Sequence, residues 1–312
     1  MISLSRILVD IDASADSHPA LQQALGLADR CRASVKIVDV LPEVPSGARG
    51  FVNDAVEQEL VTHRRERLAA IAETVQNVSV TTEVLRGRPA IALVHEVLRS
   101  RHSLLMRSHG RGPSNEERPF GAVDMQLFRQ CPCPVWVVRR STKRLQRILA
   151  AVNTSAAETI ERGLNTTILE LAVLLKRFEE AHLTVLQTWT AYGESLLRSR
   201  VSATELAAYV EAQRQAAEGG LAAFIGSFDD RVAGVETTVL KGEPWDVIPR
   251  FLESHGIDVV VMGTVARTGI PGFVIGNTAE RVLQRLRGSV LAVKPPGFQS
   301  HIQLPPGEPP RA

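Results

Sequence analysis

The chain has no long hydrophobic run, little cysteine, few aromatic residues and almost no net charge, and each absence excludes a class of protein. No apolar stretch approaches the ~18 to 20 residues that cross a bilayer. MISLSRILVDID reaches Asp10 and Asp12 too early for a secretory leader. A cytoplasmic protein without membrane association is expected. Three cysteines, Cys31, Cys131 and Cys133, cannot lay out a disulfide framework. Cys131-Pro-Cys133 reads either as a redox or metal fragment or as small buried residues at a strand entrance, and no neighbouring cysteine or histidine completes a metal set. The formal charge of +2 comes from mixed signs with no basic run, so nucleic acid is not an expected partner. Aromatics are only 4%, but 44% hydrophobic and 22% charged residues are ordinary for a globular chain. No Ser-His-Asp series, H-E-x-x-H or Gly-Lys-Ser is present, which leaves no catalytic or metal-ligating residue to name and argues against a motor-type ATPase.

What the chain does contain is a repeat. RILVDID, beginning at Arg6, returns as RILAAVN at Arg147, 141 positions on. VLRGRPAIALVHEVL from Val84 returns as VLKGEPWDVIPRFL from Val239, and CPVWVVR from Cys133 as GSVLAVK from Gly288, both 155 positions on. The change of offset predicts that most of the extra length of the second copy lies in one central segment. At 312 residues there is room for two cores of ordinary domain size. The boundaries read as 1–141 and 145–296, followed by a Pro-rich disordered tail over 297–312.

In the first copy, short apolar runs at 7–11, 35–41, 78–85, 103–106 and 135–138 alternate with helically spaced segments. Leu60, Arg64, Leu68, Ile71 and Val75 form one such series, with Arg64 its one polar member. The second copy repeats this order. Continuous apolar strands between helices predict α/β domains, each a doubly wound, Rossmann-like parallel sheet. Ligands of such sheets sit beyond the strand ends where strand order reverses, here after the first and fourth strands. The final strands are expected to pair across the domain boundary.

After the fourth strand of the second copy, DVVVMGTVARTGIPGFVIGNTAERVL places Gly263, Gly269, Gly272 and Gly276 before a helix opened by Asn277 and Thr278. Glycines allow close backbone approach and a helix N-terminus offers unpaired amides, the requirements of a phosphate cradle. A tight strand-to-helix connection is the alternative. The segment resembles the universal stress protein family, whose nucleotide-binding members carry G-x2-G-x9-G-[ST] here. Gly263 takes the first position, Ala266 replaces the second glycine, Gly276 takes the third and Asn277 replaces the hydroxyl residue. The resemblance spans both copies and is nearest the tandem-domain, UspE-type members, with an adenine nucleotide α-hydrolase-like fold. In the first copy Arg107 takes the first position and Gly110 the second, ten residues instead of nine precede Gly121, and Ala122 is last. This points to a degenerate first loop, with His109 beside it a solvated loop histidine.

The resemblance also implies an acidic residue after the first strand that meets the base or ribose. Asp12 stands there in the first copy and Asn153 in the second. Asp10 and Asp12 could instead hold Mg²⁺ as a D-x-D pair. The expected function is a stress-response regulator that binds ATP, alone or with Mg²⁺, in the second domain, with at most weak ATPase activity. Its site would use Asn153, Gly263, Ala266, Gly276, Asn277 and Thr278, with a lesser first-domain site at Asp12, Gly110 and Gly121. A scaffold of the same fold without nucleotide is the alternative, and an adenylating enzyme is disfavoured because the first loops lack paired glycines. Intramolecular pairing of the domains, a homodimer and an unidentified protein partner complete the expected associations.

Overall fold

The computed structural model describes residues 3–44, 47, 53–109, 119–139, 144–155, 159–264 and 275–305. The first copy runs β1 Arg6–Asp10, α1 Pro19–Cys31, β2 Ser34–Leu41, α2 Asp54–Glu73, β3 Val80–Arg86, α3 Pro89–Ser100, β4 Leu104–Ser108, α4 Ala122–Gln130 and β5 Val135–Val138. The second runs β6 Arg147–Val152, α5 Thr159–Glu179, β7 His182–Trp189, a short α6 Glu194–Leu197, α7 Ala203–Gly226, β8 Glu236–Lys241, α8 Pro244–Ser254, β9 Val259–Gly263, α9 Asn277–Arg285 and β10 Ser289–Val293. Proline at the first position opens α1, α3 and α8, where its missing N–H costs nothing. Ser202 and Glu205 form a capping box that starts α7.

All ten strands form one sheet in the order β3-β2-β1-β4-β5-β10-β9-β6-β7-β8. Every pairing is parallel except that of β5 with β10, which joins the halves antiparallel through Val135 to Val137 and Val290 to Ala292, as the sequence led us to expect. Alternate strand residues face opposite layers. Ile7, Val9 and Ile37 pack with residues of α1, α2, α5 and α7, whereas Leu8, Val38 and Leu105 pack with residues of α3, α4, α8 and α9.

The strand register corrects the sequence reading of where the extra length of the second copy lies. Ile7 pairs with Val35 but Ile148 with Leu183, and Asp39 pairs with Val84 but Gln187 with Val239. The extra residues of the second copy are therefore split evenly, half between β6 and β7, where α5 is longer than α1, and half between β7 and β8. In the described part of the tail, Phe298 N–H donates to Pro295 O and Ile302 packs on the α8 and α9 layer. Residues 306–312 lie outside the described residues.

Candidate functional site

Each half reverses its strand order at one point, between β1 and β4 in the first and between β6 and β9 in the second. In the first half the residues at this point are charged. Asp12, just past β1, accepts from Arg64 of α2 at 2.6 Å, and the same guanidinium reaches Asp39 of β2 at 3.0 Å. Asp39 is buried and also accepts the Ala13 N–H at 3.1 Å. Arg67, one turn along α2, donates to Ala13 O at 3.0 Å. A second group surrounds Arg107, which pairs with Asp10 at 3.0 Å and with Asp124 of α4. Burial alone would strip charge from Arg107, but Asp10 and Asp124 outweigh it and hold the guanidinium protonated. Burial likewise opposes ionisation of Asp124, but His109, Arg107 and the Gly121 N–H keep its carboxyl below the usual range.

His109 is thus not a solvated loop residue. Its Nδ1 donates to the Asp124 carboxylate at 3.2 Å, and its ring meets Phe120 edge to face. Asp10 and Asp12 are taken by different guanidinium groups, so the D-x-D pair does not converge on one cation.

The second half builds the same place from neutral groups. Asn153 follows β6, and its backbone N–H and C=O are held by the Asn165 side chain at 3.2 and 2.8 Å. Its own side chain accepts the Ser155 N–H at 3.3 Å. Gln187, fully buried on β7, accepts from Thr154 Oγ1 at 2.5 Å and donates to Ser155 Oγ and Ala217 O. In the register of the sheet Gln187 stands where Asp39 stands in the first half, and Asn153 where Asp12 stands. Ala217 and Gly220 of α7 meet Gln187 and Thr154, as Arg64 and Arg67 of α2 meet Asp39 and Ala13 in the first half. A Cβ on Gly220 would lie 2.9 Å from Thr154 Oγ1, so glycine lets α7 settle onto the loop.

The glycine positions also separate. Gly263 ends β9, and Gly276 is the N-cap of α9, tied to Thr264 O at 3.1 Å. Asn277 and Thr278 are the first two residues of α9 and are exposed. Gly276 has φ −61, so it is not needed for handedness, and it offers no side chain to cap the helix. Gly121 is the N-cap of α4, but there Asp124 accepts its N–H at 3.0 Å. The residue corresponding to Asp124 in α9 is Ala279. Gly263 has a packing role of its own, since a Cβ would lie 2.9 Å from Leu164 Cγ of α5. Ala266 and Gly110 lie outside the described residues.

Register further shows that Ser108, not Arg107, corresponds to Gly263. Ser108 pairs with Val138 as Gly263 pairs with Val293. From Ser108 to Gly121 is then the same interval as from Gly263 to Gly276, and the first loop has no insertion. Arg107 belongs to strand β4, which runs two residues past the apolar stretch because Asp10 and Asp124 bury its charge.

A profile of the universal stress protein family matches residues 4–139 and again 145–294. The chain belongs to this family. Universal stress protein E of Escherichia coli K12, a relative, is 29% identical over 97% of this chain and 98% of its own length. A solved protein of unknown function from Pseudomonas aeruginosa PAO1 is 25% identical, covers 96% of this chain and 95% of its own, and superposes with a TM-score of 0.69. A universal stress protein from Archaeoglobus fulgidus shares the fold at a TM-score of 0.65 and 14% identity, covering 94% of this chain and 97% of its own. This is a stress-response family, and both its domains pack within one chain here. Among the described residues, no helix is long and apolar enough to cross a membrane.

Proposed function

We propose that the second domain, taken as residues 145–296, binds an adenine nucleotide, ATP alone or with Mg²⁺, and that occupancy regulates a cytoplasmic stress response with little or no turnover. The observation that carries this reading is the contrast between α4 and α9. At the N-terminus of α4 the Gly121 N–H is held by the Asp124 carboxylate, whereas in α9 the Gly276 N–H is held by Thr264 O and Ala279 stands in place of that carboxylate. A helix N-terminus without a carboxylate at that position, beside a strand switch point, favours an anion. Asn153 offers both a donor and an acceptor to a ribose or adenine edge. Amides and hydroxyls hold a ligand without ionising near neutrality, which supports binding without hydrolysis. In the first domain, residues 1–141, Arg64 and Arg107 are already neutralised by carboxylates, and a polyphosphate would have to displace them.

Melting of the full chain with increasing MgATP tests this. A saturable rise is expected, worth about 2.7 kcal/mol at a hundredfold excess over Kd. No shift, with no nucleotide released on denaturation, would favour the scaffold reading. That second reading has its own support in Tyr192, just before α6, and Leu196 within it, which are 90% and 58% exposed.

A further inference from the structure

Lys294, the residue after β10, is buried at the seam between the halves, and its hydrogen-bond partners are all neutral. Its ammonium donates to Phe128 O at the end of α4 and to Thr264 Oγ1 at 2.6 Å, and lies 5.5 Å from the Phe298 ring. Phe128 O also accepts from Thr264 Oγ1 at 2.8 Å. A buried cation is costly unless an anion compensates it. The groups whose charge acts on Lys294 are Cys131 and Cys133, and burial brings its pKa down to about 8, so the ammonium persists at neutrality.

The two thiols face each other at 3.6 Å across Pro132. Cys131 caps α4 and is fully buried, Cys133 keeps 8% exposure, and Pro132 and Pro134 on either side of it are only partly buried. A small oxidant therefore has to pass only this turn. Burial opposes ionisation of Cys131, but the hydrogen bond from Cys133 and the charge of Lys294 outweigh it and bring the thiol below its ordinary value. Cys133 is pushed well above, by its bond to Cys131 and by burial. One thiol is poised to be the anion and the other to remain protonated.

We propose that Cys131 and Cys133 form a hydroperoxide-oxidised dithiol, with Cys131 the attacking thiolate, Cys133 the resolving thiol and Lys294 the positioning cation. Cys131 sulfur attacks one peroxide oxygen, the O–O bond breaks, and a sulfenic acid forms while the departing hydroxide takes a proton from solvent as water. Cys133 sulfur then attacks Cys131 sulfur, the S–O bond breaks, and the hydroxide leaves as a second water with the Cys133 proton. Two thiols lose two electrons to one peroxide. The product removes the anion beside Lys294, so oxidation acts on the cation that ties α4 of the first half to Thr264, where the second glycine loop begins.

The test is peroxide treatment of the reduced full-length protein, followed by alkylation under denaturing conditions and peptide mass spectrometry. The expected result is an internal disulfide between Cys131 and Cys133, a loss of two hydrogens, while Cys31 remains free. Cys31 is the internal contrast, since burial pushes its thiol up. Cys133→Ala should accumulate a dimedone-trapped sulfenic acid at Cys131, and Lys294→Met should slow oxidation at least about tenfold. If Lys294→Met does not fold, the wild-type pH profile decides. The oxidation rate of Cys131 should hold to lower pH than that of a small free thiol run alongside. A fall at the same pH as the free thiol or earlier, oxidation of Cys31 first, or reaction of Cys131 only in unfolded protein would overturn the proposal.

Discussion

Single residues separate what a glycine or a charge does for the fold from what it does for a ligand. Gly263 was read as a close-approach position, yet Leu164 already fills the space above it. Gly263→Ala should destabilise the nucleotide-free protein by about 1–3 kcal/mol through overpacking, measured by urea denaturation, and an unchanged midpoint would show that Leu164 moves aside freely. Arg64 has the opposite history. It stood out in the sequence as the polar member of an apolar helical series, and the structure shows why: it holds Asp12 and Asp39. Arg64→Ala should cost about 3 kcal/mol by removing the guanidinium that compensates buried Asp39 and half-buried Asp12. Adding Asp12→Asn and Asp39→Gln, the amide chemistry of the second half, should recover most of the loss in the same denaturation experiment. Asp39 and Gln187 were legible only as polar interruptions in strand runs, SVKIVDVL and HLTVLQTW, and sequence alone did not say that they face the switch points.

At the scale of elements, the two halves share a skeleton and differ in how they compensate charge. The strand and helix alternation was readable because parallel strands covered on both faces are continuously apolar. The glycine-loop register was misread by one because Arg107, a charged residue in a strand, looked like the start of a loop. A similar contrast lies under α3, where Glu96 accepts from Lys36 at 2.6 Å, Ser100 at 2.7 Å, His102 at 3.2 Å and Arg99 at 3.2 Å. The corresponding residues in α8 and its following turn are Phe251, His255 and Ile257, with Phe251 and His255 stacked at 3.9 Å. Burial opposes ionisation of Glu96, but bonds from His102, Lys36 and Ser100 pull its pKa down from 4.5 to about 2. The unfolded chain takes up this proton first as pH falls. The stabilisation is therefore complete above pH 4.5 and is lost on descending toward 2, roughly 3 kcal/mol in all. Glu96→Gln should flatten that part of the acid stability curve, and a curve identical to wild type would remove Glu96 from the account.

Across the whole molecule, the antiparallel junction of β5 and β10 makes one sheet of two domains, and the seam is held by more than strands. Arg30 of α1 pairs with Glu179 of α5, Arg129 of α4 with Glu280 of α9 at 3.2 Å, and Ser289 Oγ accepts the Arg139 N–H at 3.1 Å. The repeat made this duplication visible in the sequence, but not the difference in charge between the halves, because that depends on which polar groups meet at each switch point. On the proposed function, the first switch point is closed by its own ion pairs and the second is open to a nucleotide at α9. Calorimetric titration of MgATP into full-length Gly121→Val and Gly276→Val tests it most directly, since both positions are N-caps with extended φ that a β-branched residue adopts. About one equivalent should bind to Gly121→Val with wild-type affinity and none to Gly276→Val, with both variants folded. The reverse pattern, or binding that survives in Gly276→Val, would contradict the account.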